Sequence, residues 1–475
     1  MTGVTAVRVG IVWECPWTPS SYGKLVMWLA RELQRLGFEV RSYCPSAPPV
    51  ALYHKYVEFN PRCIHKELGV CVEFEKPVEV SSDAWACEDS DVDVYLIGGA
   101  PYGGVESRWV EKCSKTKYPV AGYFVSESAI VHPLLALWLL HVDAVGFPTR
   151  AVARAFMVHD VVREAHGDWV YAPHGLPEYY FDLHRDVILD YSLKLVDRES
   201  EGWKLALESR EAGLLIGVVA KDHPRKDYGA LFSAFASLKH ALRDDRLRLF
   251  LGFIRAVGAR MWDVDALMNT LGLTQRDVII LEGKWQDYGV TEMGLLISYS
   301  LMNVFAFPTL GEAFGMPPVE AGALGLPAVV TAVPSTEEIW DNYPLLVDSN
   351  PILMNDGSIL YATSYRDLVV KLLRALENPG YYGRLARRIA KRYTAVEMGK
   401  AIARLIDNAV RNAGRKKPYP LQQVNASTPG LLGVAVEALK LDDLIPASRN
   451  NKNGDGARGH VHVGGSSQSP RRRRC

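Results

Sequence analysis

Two rhythms of apolar residues run along this chain. Short, mostly apolar runs, among them VRVGIVW (7–13), VDVYLIGG (92–99), YPVAGYFV (118–125), DAVGFPT (143–149) and WVYAPHG (169–175), are separated by longer stretches whose apolar positions fall three or four apart. In GKLVMWLARELQRLGFEV (23–40), Leu25, Leu29, Leu33 and Leu36 lie on one side of a helix, and Gly37 ends it before the next strand. Runs without strict alternation are buried on both faces, so their succession with helices predicts a parallel sheet with crossover helices.

The plan restarts at GLLIGVVA (213–220). Helix YGALFSAFASLKHAL, strand LRLFLGF, helix VDALMNTLGL, strand DVIILEG, helix TEMGLLISYSL and strands MNVFAFPT and PAVVTAV follow, and beyond Tyr365 the pattern is helical to about Ala413. Between the two blocks the chain is polar and charged, with room for one short helix. We therefore expect an α/β protein with a first Rossmann-like domain (1–182), a connector (183–212), a second Rossmann-like domain (213–395), a terminal helix (396–415) and an extension with a basic tail (416–475).

Composition narrows the function. Lys plus Arg and Asp plus Glu number 54 each, so no overall field draws the chain to nucleic acid or an anionic membrane. Charge accumulates in the helical segment RLARRIAKRYTAVEMGKAIARLI, which reads as a solvated amphipathic face, and at the end, where residues 449–475 hold seven basic residues and Asp455 in a Gly-, Ser- and Asn-rich setting. The composition of that end predicts a disordered, solubilising tail, with peripheral contact to an anionic lipid surface as the other reading. Seven cysteines, six of them between Cys15 and Cys113, follow neither a paired CxxC framework nor a zinc spacing, and a reduced, cytoplasmic protein is the expectation. The start MTGVTAVRVGIVW lacks a signal-peptide pattern. The most apolar run, HPLLALWLLHVDAVGF, is interrupted by His141 and Asp143 and is too short to span a bilayer.

In open parallel sheets, ligands bind beyond the carboxyl ends of the strands, so the loops after strands carry the candidate chemistry. VVAKDHPRKDYGAL sets Lys221, Arg225 and Lys226 between a strand and a helix. Those cations could neutralise a diphosphate, although a solvated basic turn has the same composition. PTLGEAFGMPPVEAGALGLPAVVT places Glu312 and Glu320 eight residues apart around two prolines. Pro317 and Pro318 suit only a loop or a helix's first turn, which predicts a strand, a tight loop holding Glu312, and a helix with Glu320 in its first turn. The amides of Phe314, Gly315 and Met316 and the positive end of that helix suit a phosphate, and Gly315 permits close backbone approach. Taken singly, Glu320 complements a helix dipole and Glu312 is a loop carboxylate.

Taken together, the E-x7-E pattern in PTLGEAFGMPPVEAGALGLPAVVT closely resembles the signature of retaining family 4 (group 1) glycosyltransferases. The resemblance runs from the first strand to about Ala413. VVAKDHPRK resembles the family's Arg-and-Lys phosphate clamp, with Lys226 at the lysine position, Lys221 at the arginine position and Arg225 beside them. DAVGFPTRAVARAF and YAPHGLPEYYF resemble the paired segments that close the family's first domain. WECPWTPSSYGK resembles its glycine-containing loop, reduced here to Gly23.

This resemblance implies the GT-B fold, two Rossmann-like domains facing each other across a cleft, with the acceptor on the first, a nucleotide-diphosphate sugar on the second, and a terminal helix returning to the first. It implies that Glu320 holds the ribose hydroxyls and Glu312 contacts the donor sugar. Phe314, Gly315 and Met316 would meet sugar and diphosphate through their amides, Gly23 would approach the diphosphate or the acceptor, and Lys221 and Lys226 would stabilise the leaving group. A hexose would pass to a hydroxyl acceptor on a glycan, lipid carrier or small molecule, with retention and with neither metal nor other cofactor.

Glu127, in AGYFVSESAIVH, either orients an acceptor hydroxyl or is an ordinary polar loop residue, while His132 reads as a surface residue and His174 as structural. The DxD triplets Asp91/Asp93 and Asp263/Asp265 precede a strand and open a helix, positions that need no metal. IGGAPYGG (97–104) does not match G-x-G-x-x-G, which disfavours a nicotinamide enzyme, and reads as a turn near the cleft. The alternatives are another GT-B enzyme, such as a sugar-nucleotide epimerase or a phosphorylase, and a nucleotide-sugar binding protein without turnover.

Overall fold

The computed structural model describes residues 6–18, 20–45, 57–59, 66–100, 105–194, 200–220, 223–252, 262–280 and 292–414. Lys221, residues 101–104 of IGGAPYGG and the tail from 415 onward lie outside the described residues.

The first block folds into eight strands: β1 (Arg8–Val12), β2 (Glu39–Cys44), β3 (Val57–Phe59), β4 (Val78–Ser82), β5 (Val94–Gly99), β6 (Val120–Phe124), β7 (Ala144–Phe147) and β8 (Val170–Tyr171). They lie in the order β3-β4-β2-β1-β5-β6-β7-β8, all parallel to their neighbours except the β3–β4 pair. Every residue of β5, β6 and β7 is buried, as expected of strands covered on both faces. Helix α1 (Ser21–Arg35) covers one face through Leu25, Leu29 and Leu33, each at most 1% exposed, whereas Leu36 caps the helix and is exposed. A second cluster built on Trp109, Phe147 and Phe156 covers the other face.

The second sheet holds β9 (Leu215–Val218), β10 (Arg248–Leu251), β11 (Val278–Ile279), β12 (Val304–Phe307), β13 (Ala328–Thr331) and β14 (Leu346–Val347), all parallel, in the order β11-β10-β9-β12-β13-β14. The strand order reverses between β9 and β12. The loops after these two strands are the two that the sequence singles out, and each runs into a helix: α2 (Tyr228–Leu242) after β9 and α4 (Met316–Ala323) after β12. Helix α3 (Glu292–Leu301) precedes β12.

Two segments cross between the sheets. Leu176 N donates to Tyr393 O (3.0 Å) and Ala395 N to Leu176 O (2.8 Å), so the crossings are bonded to each other. Helix α5 (Ala395–Arg411) then packs on the first sheet, with Leu405 against Gly146 of β7 and Gly399 against Glu32 of α1.

Three features depart from expectation. The connector forms two helices, Arg185–Ser192 and Glu201–Glu211, rather than one, because Trp203, Leu205 and Ala206 supply an apolar stripe that is buried. A hairpin, β15 (Ser349–Leu353) and β16 (Ile359–Thr363), follows β14 without a periodicity that announced it, and it reaches the first sheet: Ala129 N donates to Ile359 O (3.1 Å) and Ile359 N to Ser128 Oγ (3.0 Å). The cysteines, expected to be reduced, form disulfides Cys15–Cys44 and Cys87–Cys113, each with Cα atoms 5.1 Å apart. Parallel pairing of β1 with β2 brings Cys15 to Cys44, a proximity invisible in their linear spacing. Among the described residues no helix is long and apolar enough to cross a membrane.

Candidate active site

The loop after β12 is held from several sides. Thr309 N donates to Thr331 Oγ1 of β13 (3.1 Å), Thr149 Oγ1 donates to Ala313 O across the cleft (3.2 Å), and Ser335 Oγ donates to Glu312 O. Gly315, at φ +86°, turns the chain into α4 as its N-cap, with Pro317 and Pro318 in the first turn. The left-handed turn starts the helix at Met316, so Glu320 falls in the second turn rather than the first. Since neither proline has an N–H, the amides of Phe314, Gly315 and Met316 are the donors that the start of α4 offers a ligand. The Phe314 ring is buried against His174 (centroids 4.9 Å apart) and lies perpendicular to Tyr393 (5.3 Å), one residue from each crossing. Burial pushes the His174 imidazole down to about 3, and neither of its nitrogens has a hydrogen-bond partner among the described residues.

Glu312, only 9% exposed, is the centre of a charged cluster. Arg225 and Lys226, from the loop after β9, both donate to its Oε1, and Thr309 Oγ1 adds a third bond (3.2 Å). Arg225 Nη2 also meets Glu127 Oε1 of the first sheet (2.7 Å), so the cluster spans the cleft. Burial works against the Glu312 charge, yet Arg225 and Lys226 outweigh it and hold the carboxyl below its usual range. Burial, reinforced by the neighbouring Arg225 charge, lowers Lys226 to about 8 against the pull of Glu312. The Lys226 ammonium also sits 4.2 Å from the centroid of the Phe307 ring.

Glu320, 2% exposed, belongs to a second cluster. Lys24 Nζ of α1 lies 2.6 Å from its Oε1, and Tyr299 OH donates to its Oε2 (2.7 Å). The same ammonium lies 3.3 Å from Glu292 Oε2, while Tyr179 OH donates to Glu292 Oε1 (2.8 Å). Lys24 and Glu292 escaped the sequence reading. The one sits beside an apolar stripe and looks like its solvated edge, and the other opens a helix, where an acid needs no further reason.

The structure thus gathers Glu312, Arg225, Lys226 and Glu127 in one cluster, Phe314, Gly315 and Met316 beside it, and Glu320 in a neighbouring one. Gly23, expected in a loop, lies in the first turn of α1, where its N–H donates to Ser20 Oγ (2.9 Å) and a Cβ would stand 2.3 Å from Thr18 O. The close approach that Gly23 permits here is to Thr18, because the loop folds back over the helix start. His132 is exposed, with Nδ1 accepting from Leu134 N (3.3 Å). Asp93 accepts from Arg8 N (2.8 Å), and Asp263 caps a helix by accepting from Ala266 N (2.9 Å).

Residues 200–393, which include both strand-end loops, match the family described as "Glycosyl transferases group 1". The chain carries a group 1 glycosyl transferase domain. This domain accounts for the cluster around Glu312 and for α4, whereas Glu127 and Lys24 come from the part of the chain before it. The serotype-specific mannosyltransferase WbdA of Escherichia coli is 29% identical over 150 residues, 31% of this chain and 17% of that protein, so the match spans under a fifth of the relative's length.

The Anabaena HepE protein, whose crystal structure holds UDP and glucose, superposes with a TM-score of 0.58 at 12% identity, covering 84% of this chain and 99% of that one. The α,α-trehalose 6-phosphate synthase of Burkholderia multivorans gives a TM-score of 0.58 at 10% identity, covering 86% and 100%. The sucrose-phosphate synthase of Thermosynechococcus elongatus gives a TM-score of 0.56 at 15% identity, covering 84% and 99%. At these identities the likeness carries the fold, and the fold around the group 1 domain is GT-B.

Proposed function

We propose that this chain is a glycosyltransferase that moves a hexose from a nucleotide-diphosphate sugar to a hydroxyl acceptor, with retention and without a metal. The observation that carries the reading is the convergence of Arg225, Lys226 and Glu312 at the switch point of the second sheet, facing Glu127 of the first. The Phe314–Met316 amides and the α4 N-terminus lie next to this cluster.

A diphosphate held between the two strand-end loops meets the Lys226 ammonium, Lys221 by family likeness, and the amides of Phe314, Gly315 and Met316. As the bond from the sugar to the diphosphate lengthens, negative charge grows on the leaving oxygen, and the Lys226 ammonium and the three amides stand beside it to receive that charge. Glu312 accepts hydrogen bonds from the sugar hydroxyls in place of some of its present cationic partners. Glu127, released from Arg225, orients the acceptor hydroxyl. Closure of the sheets excludes water and limits hydrolysis.

The test is donor consumption over a panel of uridine, guanosine and adenosine diphosphate sugars, with and without candidate acceptors, in the presence of a chelator. Acceptor-dependent turnover that survives chelation, giving a product of unchanged anomeric configuration by NMR, supports the reading. Consumption driven by inorganic phosphate alone identifies a phosphorylase, and binding without turnover identifies a binding protein. Glu312→Gln keeps nucleotide binding and loses transfer; undiminished turnover in that variant rejects its role.

A further inference from the structure

The cluster around Lys24 is under-supplied with hydrogen-bond donors. Lys24, Glu292 and Glu320 are 9%, 8% and 2% exposed, and one ammonium faces two carboxylates. Tyr179 and Tyr299 each satisfy one carboxylate oxygen, and the donor facing Glu292 Oε2 among the described residues is the shared Lys24 ammonium, whose contact there, 3.3 Å, is longer than its 2.6 Å contact to Glu320. Two buried carboxylates that share one cation leave a charge poorly compensated, which is costly away from water.

The two carboxylates stand on α3 and α4 of the second sheet, whereas Lys24 stands on α1 of the first. Parting the sheets to admit a ligand therefore withdraws the ammonium. It leaves two carboxylate oxygens, each within 3.3 Å of the point it vacated, turned toward the same space. An anion is repelled there. A neutral group with two adjacent O–H donors fits, because each hydroxyl can reach one carboxylate.

We propose that Glu292 joins Glu320, the carboxylate that family likeness assigns to the ribose hydroxyls, in receiving the vicinal 2′,3′-diol of the donor's ribose, and that Lys24 fills this receptor in the empty enzyme. The proposal rests on the donor reading above and adds to it a second ribose carboxylate and a competitor supplied by the opposite sheet. Glu292 then discriminates ribose from deoxyribose, and Lys24 sets how much of the diol's binding is expended in displacing it.

The test is titration calorimetry of the full chain with UDP and GDP against their 2′-deoxy and 3′-deoxy counterparts. The wild-type protein prefers the ribonucleotide over one of the two deoxy forms by about tenfold, the size of one hydrogen bond to a charged group. In Glu292→Gln that preference falls to about twofold, because an amide accepts more weakly. Lys24→Gln retains the preference and binds the ribonucleotide several-fold more tightly. A Glu292 that merely supports the fold would weaken all ligands equally, so an unchanged ribose-to-deoxyribose ratio in Glu292→Gln overturns the proposal while leaving the donor reading intact. Failure of the wild-type protein to bind either ribonucleotide overturns both. Where Glu292→Gln does not fold, Glu292→Asp, which retracts the carboxylate by one methylene, supplies the same ratio.

Discussion

At the scale of single residues, two glycines of the site exist for different reasons. Gly315 has room for a Cβ, whose nearest neighbour would be Pro318 Cγ at 3.5 Å, but its φ of +86° is one that L residues rarely adopt. Gly315→Ala is expected to cost about 1–2 kcal/mol, the ordinary penalty of the left-handed region. At Gly175, in the crossing segment, a Cβ would stand 2.0 Å from the Thr394 carbonyl oxygen, which is backbone and cannot swing aside. Gly175→Ala is therefore expected to cost about 3 kcal/mol and to lower the melting temperature more than Gly315→Ala, measured by thermal unfolding. Lys226 yields a prediction in pH. Burial and Arg225 place its titration near 8, so the empty site loses this cation as pH rises through that value, and nucleoside diphosphate affinity is expected to weaken above it. Lys226→Arg keeps its charge, and its affinity measured by calorimetry on either side of pH 8 should change far less.

At the scale of elements, the site depends on loops that follow strands, and each loop is held by something other than its own residues. The loop after β1 is tied by Cys15–Cys44 to the end of β2, closing a span of 29 residues. The chain-entropy argument gives such a link about 3–4 kcal/mol. The double variant Cys15→Ser/Cys44→Ser is expected to lose that amount in chemical denaturation, and a loss below about 1 kcal/mol would show that the link adds little to the paired strands. The loop after β12 relies instead on Thr149, Ser335 and, around the Phe314 ring, His174 and Tyr393, contacts that come from both sides of the cleft.

At the scale of the molecule, the described arrangement is closed over its own site. Glu320 and Glu312 are 2% and 9% exposed, so a ligand reaches them only when the sheets separate. Separation breaks Lys24–Glu320, Arg225–Glu127 and the contact of β16 with the 126–131 loop. Hydrogen exchange at Ala129 and Ile359, whose amides bond across the cleft, is accordingly expected to be faster than at the β6 amides, which open only with the sheet. A nucleotide diphosphate that bridges both sheets should slow exchange at Ala129 and Ile359. Equal exchange with and without the ligand, measured by mass spectrometry at saturation, would argue against closure on the donor.

The sequence by itself determined the α/β plan, because the burial of a strand on both faces and of a helix on one is written in local periodicity. It also marked the loops whose charged side chains come together, since Arg225, Lys226 and Glu312 sit within a few residues of strands recognisable as such. Only the tertiary structure decided what those residues touch. Lys24 and Glu320 are 296 positions apart, and the Cys15–Cys44 link, the reach of β16 and the Arg225–Glu127 pair likewise arise from pairing between distant segments. A local pattern records which face of an element is buried, but not what the burial is against. For this reason Lys24 reads as a solvated edge in the sequence and proves to be the counter-ion of two buried acids.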